Sequence, residues 1–247
     1  MHPAPTRPTP PPRDTHLLLD FGSVVGLSLF EDLGAIEHAF ALPAGTLDWS
    51  GPLEGRDDPL WRAMQAGELT ERDYWHRRAE ELGARVGRPL DVVGMIRAAR
   101  EHDPDGCVRP EARALIDAAR AAGRRVGLLS NELVLFYGEA LARRLRVLDA
   151  FDTIVDGTWT RILKPDPRAY RMACVALDAA PADVVFVDDQ RRNVDGAIAC
   201  GLQAIHLDVN RPREAFDEAA RRLGLPPRVV PAVSADPATP TVPPEPR

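Results

Sequence analysis

Five short apolar runs punctuate the chain: HLLLD (16–20), RVGLLS (125–130), DTIVD (152–156), DVVFVDD (183–189) and QAIHL (203–207). They are continuous rather than alternating, which suits strands covered on both faces, as in a parallel sheet flanked by helices. Helical patterns separate them: PEARALIDAARAAG (110–123), LVLFYGEALARRL (133–145), PRAYRMACVALD (167–178) and RNVDGAIACG (192–201). Strand and helix in turn predict an α/β fold, a Rossmann-like, doubly wound parallel sheet.

The alternation fails between residues 26 and 105, where helical patterns occur without a convincing strand. One of them, LTERDYWHRRAEELG, opens with Thr70 and Asp73 at the spacing of a capping box. An inserted α-helical cap over 26–105 is therefore expected, lying over the strand ends, with the core formed by 15–25 and 106–227. The proline-rich ends, 1–14 and 228–247, carry few large apolar side chains. They cannot bury enough surface to offset chain entropy and are expected to be disordered.

Composition narrows the function classes. No apolar run approaches the ~18 residues of a membrane span and the N-terminus has no apolar signal-peptide core, so a soluble, cytoplasmic protein with no membrane partner is expected. A net charge of -6 argues against a nucleic-acid partner, which calls for a basic patch. Cys107, Cys174 and Cys200 are an odd number without CxxC spacing and read as free thiols rather than a disulfide framework or zinc site. Of 31 basic residues one is lysine, Lys164. In so arginine-rich a chain, a lone lysine marks a place where a compact ammonium is needed and a planar guanidinium does not substitute.

In open parallel sheets ligands bind outside the carboxyl ends of the strands. Those ends carry Asp20, then Ser130 and Asn131, then the segment leading to Lys164, then Asp188 and Asp189. Three carboxylates with one ammonium and one hydroxyl make a metal-assisted site for a phosphate-like anion. Mg²⁺ is hard, takes oxygen ligands and is satisfied by one or two carboxylates, here Asp20 and Asp189, plus waters and substrate phosphate. A carboxylate also attacks phosphorus when its repulsion with the phosphoryl group is neutralised, the task of the metal and Lys164. Ser130 and backbone amides near the following helix start would bind the remaining oxygens; Ser130 also reads as the cap of the helix beginning near Glu132.

These residues resemble the motifs of the haloacid dehalogenase superfamily, in its phosphatase-like branch with a helical cap after the first strand. LLLDFGSVV resembles the first motif, LLSN the second, LKPDPRAY the third and VFVDDQRRNVDGA the fourth, and GELTERDYW is similar to a cap segment of that branch. The resemblance implies Asp20 as nucleophile and metal ligand, the Gly22 backbone carbonyl and Asp189 as further metal ligands, and Ser130 and Asn131 as phosphate-binding residues. It implies Lys164 as the charge-neutralising lysine, with Asp188 behind the metal ligands and Asn193 at a position that is often acidic. The activity implied is a Mg²⁺-dependent hydrolase of a small phosphorylated metabolite, sugar phosphates included, working through an aspartyl-phosphate as a monomer or homodimer.

The chain departs from the pattern at Gly22, where most phosphatases of the superfamily carry a second aspartate that protonates the leaving group. Three explanations stand: a leaving group that is acidic or protonated from elsewhere, a 2-haloacid dehalogenase that needs no such acid, or a weakly active protein that binds a phosphorylated ligand. The adjacent acids Asp188 and Asp189 favour a cation over a haloacid carboxylate. In the insertion, Trp49, Trp61, Tyr74 and Trp75 read as lid core or as substrate contacts. His76 reads as a surface residue or a substitute acid, since histidine titrates near neutrality. Arg56, Arg62 and Arg109 are candidate anion contacts but read first as solvated charges, and Ser23 reads either as a phosphate donor or as a turn residue.

Overall fold

A computed structural model of the chain describes residues 15–226 apart from Arg56. The segments expected to be disordered, 1–14 and 228–247, lie outside the described residues, as does Arg56. Five parallel strands, β1 (His16–Leu19), β2 (Val126–Ser130), β3 (Thr153–Asp156), β4 (Val184–Asp188) and β5 (Gln203–His206), form one sheet in the order β3-β2-β1-β4-β5. The chain winds outward from β1 through β2 and β3, then returns to β1's other side through β4 and β5. β1 and β4 therefore flank the switch point, where a crevice opens at the carboxyl ends.

The continuous apolar runs are explained by burial on both faces. Leu17, Leu19, Val126, Leu128, Val185 and Val187 face one layer, while Leu18, Leu129, Val155 and Phe186 face the other. Each fully buried leucine of β1 contributes roughly 1.5–3 kcal/mol. The insertion carries α1 (Leu33–Ala39), α2 (Pro59–Gln65), α3 (Glu71–Arg85) and α4 (Val92–Arg100); α5 (Pro110–Ala121), α6 (Leu133–Ala142), α7 (Gly157–Thr160), α8 (Pro167–Ala176) and α9 (Arg191–Ala199) lead from strand to strand, and α10 (Pro212–Arg222) follows β5. α10, which the apolar and helical patterns above do not include, buries Phe216 and Ala219 on the face that Leu17 and Leu19 share.

The insertion leaves and returns through adjacent extended segments, with an antiparallel bridge between Gly26 and Val108 and hydrogen bonds from Leu27 N–H to the Cys107 carbonyl (2.7 Å) and from Arg109 N–H to the Val25 carbonyl (2.8 Å). Its helices enclose a separate apolar cluster that includes Ile36, Trp49, Met64, Tyr74 and Met95 and extends to Leu141 of α6. α3 opens with the expected capping box: Thr70 Oγ1 accepts from the Asp73 N–H and Asp73 Oδ2 from the Thr70 N–H, both at 3.1 Å. Among the described residues no helix is long and apolar enough to cross a membrane. Cys107, Cys174 and Cys200 are free thiols.

Candidate active site

Register carries the carboxylates together. Leu19 pairs with Val187, and the Asp20 N–H continues the ladder to the Val187 carbonyl at 3.0 Å. Asp20 therefore leaves the sheet beside Asp188. The chain then makes a single wide turn, Phe21–Val25, closed by the Gly26 N–H on the Phe21 carbonyl at 2.8 Å. Within it Gly22 is extended (φ -63°, ψ 133°) and Ser23 is left-handed (φ 59°), a conformation costing about 1–2 kcal/mol outside glycine. Buried Arg109 holds that turn, donating to the Ser23 carbonyl at 2.9 Å and to Glu31 Oε2 at 2.7 Å. It is thus neither a solvated charge nor an anion contact in the cavity. Arg62 is exposed and pairs with Asp57.

Lys164 is 4% exposed. Its Nζ donates to Asp188 Oδ2 at 2.6 Å and lies 2.8 Å from Asp20 Oδ1, above the Phe186 ring at 5.5 Å from its centroid. Burial alone would lower its pKa, but Asp188 and Asp20 outweigh that and raise it. Asn131 fixes the lysine's backbone from both sides: its Oδ1 accepts from the Lys164 N–H at 2.6 Å and its Nδ2 donates to the Lys164 carbonyl at 3.2 Å. The Asn131 side chain thus holds the Lys164 segment, and the residue, expected to bind phosphate, also lines the cavity. Ser130 does not cap α6 either. The first turn of that helix is capped from β3 and α7, with the Val134 N–H on Asp156 Oδ2 (2.9 Å) and the Leu135 N–H on Thr158 Oγ1 (3.1 Å), while Ser130 lines the cavity.

Carboxylate oxygens of Asp20, Asp188 and Asp189 lie within 4.8 Å of one another. Asp188 is saturated: Oδ2 takes Lys164, Oδ1 takes the Gln190 N–H at 2.8 Å, and Asn193 Nδ2 reaches both oxygens at 3.0 and 3.2 Å. Asp20 and Asp189 are the oxygen donors left for a hard cation, and Asn193, also in the cavity wall, has an Oδ1 without a protein partner. This donor set fits Mg²⁺. Burial, only partly offset by Lys164, pushes the Asp20 carboxyl up to about 7. Burial and the neighbouring acids Asp188, Asp20 and Glu71 raise Asp189 well above the ordinary carboxylate range. Such crowding of desolvated acids is relieved by positive charge.

Core and insertion together enclose a cavity of about 90 Å³. Asp20, Gly22, Ser23, Ser130, Asn131, Lys164, Asp189 and Asn193 form its floor; Trp61, Glu71 and Trp75 of the insertion form its roof, with Phe136 and Tyr137 of α6 alongside. Trp61 and Trp75 serve as lid core and cavity wall at once, since both also pack with Phe30 and Tyr74. Trp49 and Tyr74 are wholly core. His76 is exposed and absent from the wall. Glu71 and Glu132 were missed as site residues: Glu132 follows Asn131 on the core, and Glu71 comes in only with the docking of insertion on core, where Arg72 pairs with Glu132, Gln65 Nε2 donates to Gln190 Oε1 at 3.1 Å and Arg192 stands 4.0 Å from Glu71.

Gly157, just after β3, touches this arrangement from behind. A Cβ there would overlap the Asn131 carbonyl and Leu163. Gly157→Ala is expected to displace the Asn131 loop, lowering stability by about 1–3 kcal/mol and turnover with it. Thermal unfolding checks the first, and a variant as stable as the parent would show that the loop yields freely.

The family model of haloacid dehalogenase-like hydrolases matches residues 31–201. The chain is 29% identical to the sesquiterpene phosphatase astK of Aspergillus oryzae over 149 residues, 60% of this chain and 71% of that protein. It is 34% identical to (S)-2-haloacid dehalogenase 1 of a Pseudomonas strain over 109 residues, 42% of this chain and 46% of the dehalogenase, so that match spans less than half of the relative's length. Among solved structures, the magnesium-bound HAD-hydrolase YfnB of Bacillus subtilis superposes with a TM-score of 0.62 at 15% identity, over 85% of this chain and 99% of that one; this likeness speaks for the fold.

Proposed function

The chain belongs to the haloacid dehalogenase-like hydrolases, and we propose that within them it is a Mg²⁺-dependent phosphomonoester hydrolase, acting on a small phosphorylated metabolite through a phosphoryl group carried on Asp20. The observation that carries this reading is the division of labour among the three acids. Asp188 is spent on Lys164, Gln190 and Asn193, whereas Asp20 and Asp189 keep oxygens for a cation.

Asp20 attacks phosphorus, and the leaving oxygen departs on the side of the insertion. Lys164, held by Asp188, neutralises charge on the attacking carboxylate and on the phosphoryl oxygens, and Ser130 binds one of those oxygens. Asn131 acts by fixing the Lys164 backbone. Asp20, Asp189 and the Gly22 carbonyl would hold Mg²⁺, which would supply positive charge against the repulsion between a carboxylate and a phosphoryl dianion. The insertion roofs the cavity with Trp61, Glu71 and Trp75, so it acts as a lid that opens for entry and shuts out water for the chemistry.

The wall also weighs against 2-haloacid dehalogenation. A haloacid carboxylate needs a cation of its own, yet Lys164 is the one cationic side chain in the wall among the described residues, already held by two carboxylates, while Glu71, Glu132 and Asp189 face the same space. Phosphate release from a panel of phosphorylated metabolites, set beside halide release from a 2-haloacid, decides between them. Phosphate release is expected, falling about 100-fold or more on chelation, the equivalent of roughly 3 kcal/mol of charge stabilisation. Halide release, or phosphate release indifferent to Mg²⁺, would refute the reading.

A further inference from the structure

Resting on the phosphomonoesterase reading, we propose that Glu71, carried by the insertion, is the proton donor to the leaving oxygen, the task that the residue two places after the nucleophile cannot perform in this chain. Gly22 has no side chain, and the lack is not forced by crowding, since a Cβ there would meet no heavy atom within 4 Å. An acid is therefore missing from a place with room for one, and the cavity roof supplies another across the same small space. Glu71 is the first residue of α3, set by the Thr70–Asp73 capping box and shared by the wall with Asp20, Gly22 and Lys164. His76, the other titratable candidate on α3, faces away.

The charges around Glu71 suit a group that holds a proton and then yields it. Arg192 of α9 and Lys164 of the core favour its anion; Asp188 at the end of β4, Asp189 just beyond it, and Glu132 before α6 oppose it. The Glu71 side chain keeps 36% of its surface exposed, and partial burial together with these charges raises its carboxyl above the ordinary range. Trp61 and Trp75 beside it supply the apolar surroundings.

The step balances. An Asp20 oxygen forms a bond to phosphorus as the bond to the leaving oxygen breaks. The electron pair stays on that oxygen, which takes the proton from the Glu71 carboxyl and departs as an alcohol. The Glu71 carboxylate then accepts a proton from the water that attacks phosphorus, releasing phosphate and the Asp20 carboxylate and restoring its own acid form.

The experiment compares nitrophenyl phosphate, whose leaving group departs without help, with glycerol phosphate, whose alkoxide needs a proton. Glu71→Gln is expected to slow the alkyl ester by about 10²- to 10⁴-fold and the aryl ester far less. Glu71→Asp, which keeps a carboxyl, should retain more alkyl turnover than Glu71→Gln, and Gly22→Asp in the Glu71→Gln background should recover part of the loss. Equal loss on both esters, equal loss in Glu71→Gln and Glu71→Asp, or unchanged alkyl turnover in Glu71→Gln overturns the assignment while the phosphatase reading stands. A parent protein inert toward both esters with Mg²⁺ fails that reading and takes this assignment with it.

Discussion

Replacing Asp20 by Asn is expected to lower phosphomonoester turnover by roughly 10⁴- to 10⁶-fold, the scale seen when a nucleophile is removed, while the fold persists. The amide is nearly isosteric and cannot form the acyl phosphate. Its effect on stability should be small, because burial already disfavours the Asp20 anion. Lys164 keeps its 2.6 Å partner, Asp188. Steady-state release of phosphate and a melting curve test both halves. A variant that melts like the parent and still turns over would remove Asp20 from the chemistry, whereas a collapsed fold would recast it as a structural acid.

Lys164→Arg keeps the charge and should still lower turnover by about 10²- to 10³-fold, the cost of losing one aligned donor in an active site. The reason is shape. The ammonium lies between carboxylate oxygens at 2.6 and 2.8 Å with the Phe186 ring beneath it. A guanidinium is broader, planar and rigid, so it would have to part Asp20 from Asp188 or leave one of them. An arginine variant with parental kcat would show that charge alone is needed there and that the single lysine among 31 basic residues carries no message.

What the sequence made legible follows from local physics. Five apolar runs became the five strands, because a parallel sheet buried on both faces allows no polar alternation. Their gathering of polar residues at one sheet edge could be read because those residues form ordered family motifs. Asp20, Lys164, Asp188 and Asp189 were found because strand ends converge whatever the loops between them do. α10 was passed over although it packs Phe216 into the core: the sheet was already complete without it, and a helix after the last strand breaks no pattern.

Long-range side-chain pairing was not legible. Asn131 reads as a ligand alone, and nothing local shows that its amide also bonds both sides of the Lys164 backbone, 33 positions away. Ser130 looks like a helix cap until Asp156 and Thr158 are seen taking the amides. Arg109 passes for one solvated arginine among many, because its partners, Ser23 and Glu31, lie across the root of the insertion. Glu71 gives no sign in sequence at all, since it reaches the cavity only through the docking of α3 over the strand ends. The capping box of that same helix was readable, being wholly local.

The central claim is that the Asp20 carboxylate becomes covalently bonded to phosphorus. Protein quenched in acid while turning over nitrophenyl phosphate with Mg²⁺, then digested and weighed peptide by peptide, should carry one phosphoryl group on the peptide containing Asp20. Continuing phosphate release with that peptide always unmodified would contradict it.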